Sequence, residues 1–376
     1  MRALLPKSGL VAILGFAIGC LTASAANLPP AAPDPACHYE VRLEGYLSDL
    51  AALDTAPANM TAVRETAALG RVLFFDHSLS KNGLVACSSC HSREAGFDDP
   101  TRFSIGFEGR ITRRSAMALA NSRFNPGGRF FRDLRAPGLE AQVLEPFSDP
   151  IEMGLQPGEL EARVTAAPWY RALFTAAFGD PDITQQRIAI ALAQYVRAIV
   201  TFDTRYDRER EKADNALADF AGFSTSENRG KRLFMTARND GGAGCSACHE
   251  GEAFILSEPR DNGLAVDPQR PDQGVGEITG KREDLGKFRT ASLRNIAVSA
   301  PYMHDGRFRT LEEVIDHYSD GIVAKPNLAP ELRDVGGNPV RLNLSWTQKR
   351  DLVAFLQTLT DWNAMRDPCL SDPFRR

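Results

Sequence analysis

Two stretches decide how this chain is read: "LGRVLFFDHSLSKNGLVACSSCH" at residues 69–91 and "RGKRLFMTARNDGGAGCSACH" at residues 229–249. Both run in one order: a Gly, a basic residue, Leu-Phe after one more position, a polar loop containing Gly, then Cys-x-x-Cys-His. Self-similarity of this kind marks a structural unit used twice. In each copy the pattern is that of a helix followed by a loop that presents two thiols and an imidazole.

A single Cys-x-x-Cys fits a redox or a zinc site. Two copies with an adjoining His, each after a matching lead-in, indicate covalent haem c. The spacing follows from the chemistry, in which two thiols add to the vinyl groups of the haem and the next residue offers its imidazole to one face of the iron. Cys87, Cys90, Cys245 and Cys248 are therefore the attachment residues, and His91 and His249 the proximal ligands. A zinc site needs a second matched ligand pair near either motif, and the sequence has none.

The chain has 376 residues, enough for two domains, and its 43% hydrophobic and 24% charged residues are ordinary for a soluble protein. Residues 1–26 read as an export signal: Arg2 and Lys7, the apolar run "LVAILGFAIGCL", then the small residues "ASA". The run is too short to span a bilayer comfortably. Cys20 lacks the Leu expected three residues earlier in a lipoprotein site, which disfavours a lipid anchor. Loss of this leader leaves 42 basic and 48 acidic residues, a net charge of −6. That balance gives no reason to expect nucleic acid or an anionic membrane as partner. Of the remaining cysteines, Cys37 and Cys369 lie near opposite ends, and export makes a disulfide between them plausible.

The rest reads as helices and loops, an all-α chain of two tandem c-type cytochrome domains with long connections. "ITQQRIAIALAQYVRAIVTF" (183–202) is apolar around much of its surface, as a buried helix is. "SWTQKRDLVAFLQTLTDW" (345–362) opens with a capping box, Ser345 and Gln348, and places Leu352, Phe355, Leu356 and Leu359 on one side. No run alternates as a strand does. The polar run 207–216 marks the boundary between halves. Segment 257–285, rich in Gly, Pro and charge, reads as a long loop of the kind that is functional or mobile. The expected division is 1–26 leader, 27–60 extension, 61–210 first domain and 211–376 second domain.

With these residues in view, the chain resembles the bacterial dihaem cytochrome c peroxidases and their MauG-type relatives over roughly residues 64–362. The resemblance rests on the two haem motifs together with "SIGFEGRITRRSAMALANSRF", "FFRDLRAPGLEAQVLEPFSDPIEMG" and "LRNIAVSAPYMHDGRFRTLEEVIDHY". It implies a periplasmic enzyme that meets hydrogen peroxide at the first of two haem c groups. It puts the family's acid–base glutamate on Glu152, with Gln142 lining the same pocket. Cleaving the O–O bond so that water leaves requires a proton moved between the two oxygens, and a carboxylate can carry it. A His on the loop after "SIG" caps the first iron in the peroxidases, whereas this chain has Phe107, with no lone pair to offer. The first haem is thus expected open. His77, in "FFDHSLS", is read as a surface residue.

"TLEEVIDHYSDG" carries a capping box at Thr310 and Glu313 and a stop at Gly321. Leu311, Val314 and Tyr318 share its inward face, which leaves His317 to solvent. The resemblance agrees: Tyr318 falls where the peroxidases have the distal Met of the second haem and MauG-type enzymes a Tyr. Met303 is the fallback ligand. His304 matches a family histidine near the second haem, read as acting beside it rather than as a ligand, with Tyr302 packed against it.

Two departures qualify the resemblance. Arg132 stands where the family has a Trp between the haems, so sharing between them needs Phe131 or another aromatic. Arg114 stands where an Asn serves the inter-haem calcium site, which leaves calcium open. The arginines between 110 and 135 are expected at haem propionates and this interface, with solvated surface as the alternative for Arg110, Arg123 and Arg129. A Tyr-closed second haem favours MauG-type storage of oxidising power and a protein substrate. The alternatives are a detoxifying peroxidase fed by a small redox protein, or a dihaem electron carrier. Family members are often homodimers.

Overall fold

The computed structural model describes residues 30, 36–39, 41, 43–57 and 63–374. The expected leader, including Cys20, lies outside the described residues. Among them the chain is helical, with isolated β-bridges and no strands. The principal helices are α1 (Val63–Phe75), α2 (Trp169–Phe178), α3 (Gln185–Ala198), α4 (Thr225–Met235), α5 (Leu311–Asp316) and α6 (Trp346–Gln357).

Local chemistry starts these helices where the sequence indicates. The Ser345 hydroxyl accepts the Gln348 N–H, Thr310 accepts that of Glu313, and Ser224 pairs with Glu227 in a third capping box. Leu352, Phe355, Leu356 and Leu359 are buried as expected, and α3 is buried on most of its circumference.

Two apolar cores form. One gathers α1, α2 and α3 around Leu69, Phe74, Phe174 and Tyr195, and the other gathers α4, α5 and α6 around Phe234, Phe254 and Phe355. The repeated glycine explains the crossing in each. A Cβ on Gly70 would lie 1.9 Å from the Ala191 carbonyl oxygen, and one on Gly230 would lie 1.9 Å from that of Asp351. Only hydrogen fits, so the lead-in helix of each copy lies directly on the closing helix of its core. The basic residue that follows also has a parallel use. Arg71 donates to the carbonyls of Ser371 and Pro368, and the fully buried Lys231 donates to those of Ala216 and Ala218.

Cys37 and Cys369 form a disulfide, and the Tyr39 hydroxyl donates to the Cys369 carbonyl beside it. The polar run 207–216 begins inside the helix Arg205–Arg210, where Tyr206 belongs to the second core and Asp207 makes a fully buried ion pair with Arg294 at 2.8 Å.

Segment 257–285 departs from the expected loop. It contains a helical turn, Val275–Thr279, and is pinned by bridges from Arg260 to Phe288 and from Asp261 to Leu328. Asp261, almost fully buried, pairs with Lys325 at 2.8 Å. The segment's polar residues divide between exposed positions and ion pairs that tie it down. A second departure follows α5, which runs into a π-helical turn, His317–Gly321, so that Gly321 belongs to the turn and the cap falls on Ile322.

Candidate haem sites

The two motifs are built alike. Cys87–Cys90 and Cys245–Ala247 are single helical turns, the first followed directly by His91 and the second by Cys248 and then His249. The His91 Nδ1 lies 3.1 Å from the Phe97 carbonyl, and the His249 Nδ1 lies 3.3 Å from the Phe254 carbonyl. These bonds set the tautomer and orient each ring with Nε2 left for a ligand role. Phe97 and Phe254 both hold left-handed backbones, φ 62° and 52°, in a conformation rare for bulky residues. Sequence reasoning missed both; the signal was a Phe five or six positions after each His.

Burial lowers the pKa of His91 and pulls that of His249 down to about 4, which keeps both imidazoles neutral near pH 7. Burial also pushes Cys87 and Cys245 up to about 12 and Cys90 and Cys248 up to about 11. None of the four is taken up in a disulfide, which leaves all four for thioether formation.

At the first site, two glycines bring separate motifs together. A Cβ on Gly106 would sit 1.6 Å from the Ile151 carbonyl oxygen, and one on Gly154 (φ 72°) would sit 2.3 Å from the Phe107 ring. The loop of "SIGFEG" therefore lies flat on the turn of "SDPIEMG", and the Phe107 N–H donates to the Glu152 carbonyl at 3.0 Å. Phe107 packs on the first core. Burial raises Glu152 to about 7, with Asp149 and Glu145 adding to the rise and Arg135 opposing it. Its negative charge adds to the rise at the thiols of both Cys87 and Cys90. Gln142 ends the half-buried turn Leu139–Gln142, which Glu140 anchors to Arg197 in a paired contact at 2.6 and 3.0 Å. His77 is exposed, as expected, with Nδ1 on the Leu84 carbonyl.

The second motif opens on a cavity of about 290 Å³ that Cys245, Cys248 and His249 share with Tyr318, Met303 and His304. Phe234, Leu352 and Leu356 make its apolar wall. Arg289 Nε and Arg294 Nη2, both buried and both on residues lining the cavity, have no partner among the described residues. Unpaired guanidinium donors are costly unless an anion meets them. Apolar walls, neutral thiols, an oriented imidazole and spare cationic donors fit a haem with its two propionates.

Tyr318 and Met303 meet at one amide: Asn262 Nδ2 lies 3.4 Å from the Tyr318 hydroxyl and 3.4 Å from the Met303 sulfur. Burial raises the Tyr318 phenol to about 12, against the opposing Asn262 bond. His317 corrects the expectation of a solvated neighbour. It is buried, and its Nε2 bonds the Asn262 carbonyl at 3.0 Å. The wider π turn brings positions 317 and 318 inward together, so His317 holds the backbone of the residue whose side-chain amide meets Tyr318. His304 lines the cavity, its ring stacked on Phe288 at 3.9 Å, while Tyr302 turns its hydroxyl to the Ile296 carbonyl.

The arginines divide differently from expectation. Arg132 is half-buried, lines the cavity from the first half and donates to the carbonyls of Ser115 and Ala116. Phe131 instead lies under Arg135, 3.5 Å from the guanidinium carbon. Arg114 is held by Asp133, Asp272 and Glu277, so its guanidinium is the cation of this carboxylate cluster between the halves. Arg113 also pairs with Glu277. Arg123 is not a solvated residue, because two of its guanidinium nitrogens engage Asp54. Arg110 and Arg129 are exposed.

The profile of the family described as di-haem cytochrome c peroxidase matches residues 64–215. Methylamine utilization protein MauG of Methylorubrum extorquens is 35% identical over 298 residues, 78% of this chain and 78% of that protein. Cytochrome c551 peroxidase of Nitrosomonas europaea is 32% identical over 298 residues, 79% of this chain and 80% of that one. Among solved structures, a MauG-like protein associated with microbial copper homeostasis superposes with a TM-score of 0.72 at 36% identity, covering 86% of this chain and 97% of that one. The diheme peroxidase BthA of Burkholderia thailandensis gives 0.65 at 25% identity, over 80% and 87%. With both haem motifs, a carboxyl beside the first and a tyrosine-lined cavity at the second, the chain belongs to the dihaem cytochrome c peroxidase and MauG family of haem-containing oxidoreductases.

Proposed function

We propose that this is an exported, periplasmic enzyme that reduces hydrogen peroxide at the first haem site. The second site stores or relays oxidising equivalents towards a protein substrate or a small redox protein. Cys87, Cys90 and His91 would hold one haem c, and Cys245, Cys248, His249 and Tyr318 the other. The two cores are then two c-type domains in tandem, divided near residues 200–204, because Tyr206 already packs with the second core.

Bound haem supplies the one-electron and O–O chemistry. The protein supplies the proton path. Glu152, raised to about 7, is half ionised near neutral pH and can take a proton from one peroxide oxygen and return it to the other. Phe107, fixed beside it, has no atom that could close the site as an imidazole would. This pairing of Phe107 with Glu152 is the observation that carries the proposal. Asn262, steadied by His317, positions the Tyr318 hydroxyl in the second cavity.

Electron paramagnetic resonance of the ferric protein, compared with Tyr318→Phe, tests the asymmetry. One high-spin and one low-spin centre are expected, the low-spin signal changing in the variant. Two low-spin centres would sink the open first site, and an unaltered low-spin signal would remove Tyr318 from the ligand set.

A further inference from the structure

Most buried tyrosines of this chain end on a backbone carbonyl or a carboxylate that serves only packing; Tyr195, for example, donates to the Leu370 carbonyl. Tyr206 differs in its surroundings. It is 1% exposed, and its ring meets that of Phe254 edge-on at 5.2 Å. Phe254 is the residue whose carbonyl holds His249 Nδ1. One residue therefore separates this phenol from the imidazole offered to the second haem.

The Tyr206 hydroxyl donates to Glu252 Oε2 at 3.0 Å. The other oxygen of Glu252 accepts from Arg210 Nε at 2.8 Å in a charge-assisted hydrogen bond. The Arg210 guanidinium in turn lies over the ring of Tyr46, 5.5 Å from its centre. Tyr46, half-buried in the 3-10 segment Gly45–Leu53 of the N-terminal extension, donates to Asp207 Oδ1 at 2.7 Å. Two phenols thus flank one charged cluster, the first deep beside the haem site and the second at its rim. Each has its own carboxylate.

We propose that Tyr206 is a redox relay that passes oxidising equivalents from the second haem site to Tyr46 at the surface of the N-terminal extension. The inference rests on the peroxide reaction proposed above, with hydrogen peroxide as the oxidant. In the relay step Tyr206 gives one electron to the oxidised second site, its O–H bond breaks, and the proton passes to Glu252, leaving a neutral phenoxyl radical and a carboxylic acid. Tyr46 then gives one electron to Tyr206 and its proton to Asp207, while Glu252 returns its proton to Tyr206. A one-electron donor of the small redox protein class then reduces the Tyr46 radical at the surface while Asp207 returns its proton, which restores the phenol and the carboxylate. A phenol in an apolar core cannot lose an electron alone without leaving a buried charge, so a carboxylate within hydrogen-bond reach is the needed partner.

The test mixes ferric holoprotein with hydrogen peroxide, freezes it, and reads haem absorption, the organic-radical resonance and spin-trap adducts by peptide mass spectrometry. Wild type is expected to give trapped radical at Tyr206 and Tyr46. Tyr206→Phe keeps the ring and is expected to lose the radical at both positions while the haems still respond. Glu252→Gln leaves the phenol in place and is expected to lose it too, which a purely structural tyrosine would not show. Tyr170→Phe, which removes the buried phenol paired with Asp76 at 2.7 Å, is the control. Unchanged radical yield in Tyr206→Phe with responsive haems overturns the relay, as does loss confined to Tyr170→Phe. Haems that stay silent to peroxide in wild type overturn instead the peroxide reading, and with it the supply to the relay.

Discussion

The proton path through Glu152 makes a quantitative prediction. Glu152 must be ionised to take a proton, and its pKa of about 7 places that ionisation in the working range. The sign follows: the competent form is the carboxylate, so the rate of reaction with peroxide rises with pH. For a group titrating at about 7, the ionised fraction grows about tenfold between roughly pH 6 and pH 8. Stopped-flow haem absorbance with excess peroxide reads this rate. The neighbours give the test two directions. Burial is the main cause of the raised value, Glu145 adds to it and Arg135 opposes it. Arg135→Gln should therefore move the midpoint up, and Glu145→Gln should move it down. Glu152→Gln should slow the reaction by about 10²–10⁴-fold and remove the rise. A flat wild-type profile, or a shift in the same direction from Arg135→Gln and Glu145→Gln, would refute the reasoning.

Two further predictions concern the frame around the sites. Gly70→Ala and Gly230→Ala each force a Cβ into a carbonyl at 1.9 Å, so each should cost about 1–3 kcal/mol or more in denaturant unfolding. A loss below about 0.5 kcal/mol in either would show that the helix pair separates without strain. Arg114→Leu takes the two-bond partner from the nearly buried Asp272, leaving it Arg113 at 3.7 Å, and one of two arginines from Asp133, which keeps Arg135 at 3.1 Å, so it should cost about 1.5–3 kcal/mol. Unfolding unchanged by the substitution would mean that these carboxylates find another partner.

What was legible beforehand was what is local along the chain. The attachment thiols and proximal imidazoles adjoin one another in "CSSCH" and "CSACH", so their chemistry needs no knowledge of packing. Helix starts at Thr310 and Ser345 were legible for the same reason, since a capping box spans one turn. Repetition extended this reach, because Gly70 and Gly230 appear in one register even though their contacts, Ala191 and Asp351, are distant in sequence.

What misled was context that only packing supplies. His317 was placed in solvent by counting at the period of an α-helix, and the π turn altered that count. Segment 257–285 reads as a long loop, functional or mobile, and no local pattern shows that Asp261, Asp272 and Glu277 in it each meet a cation from elsewhere. The sequence by itself determined the haem-attachment chemistry and the helical class, since covalent and one-turn interactions join near neighbours. Tertiary structure alone decided that Phe107 lies against Glu152, that His317 steadies Asn262 and Tyr318, and that Arg114 fills a cluster of carboxylates. Those contacts join residues far apart in the chain, and their energies depend on burial, which no local pattern encodes.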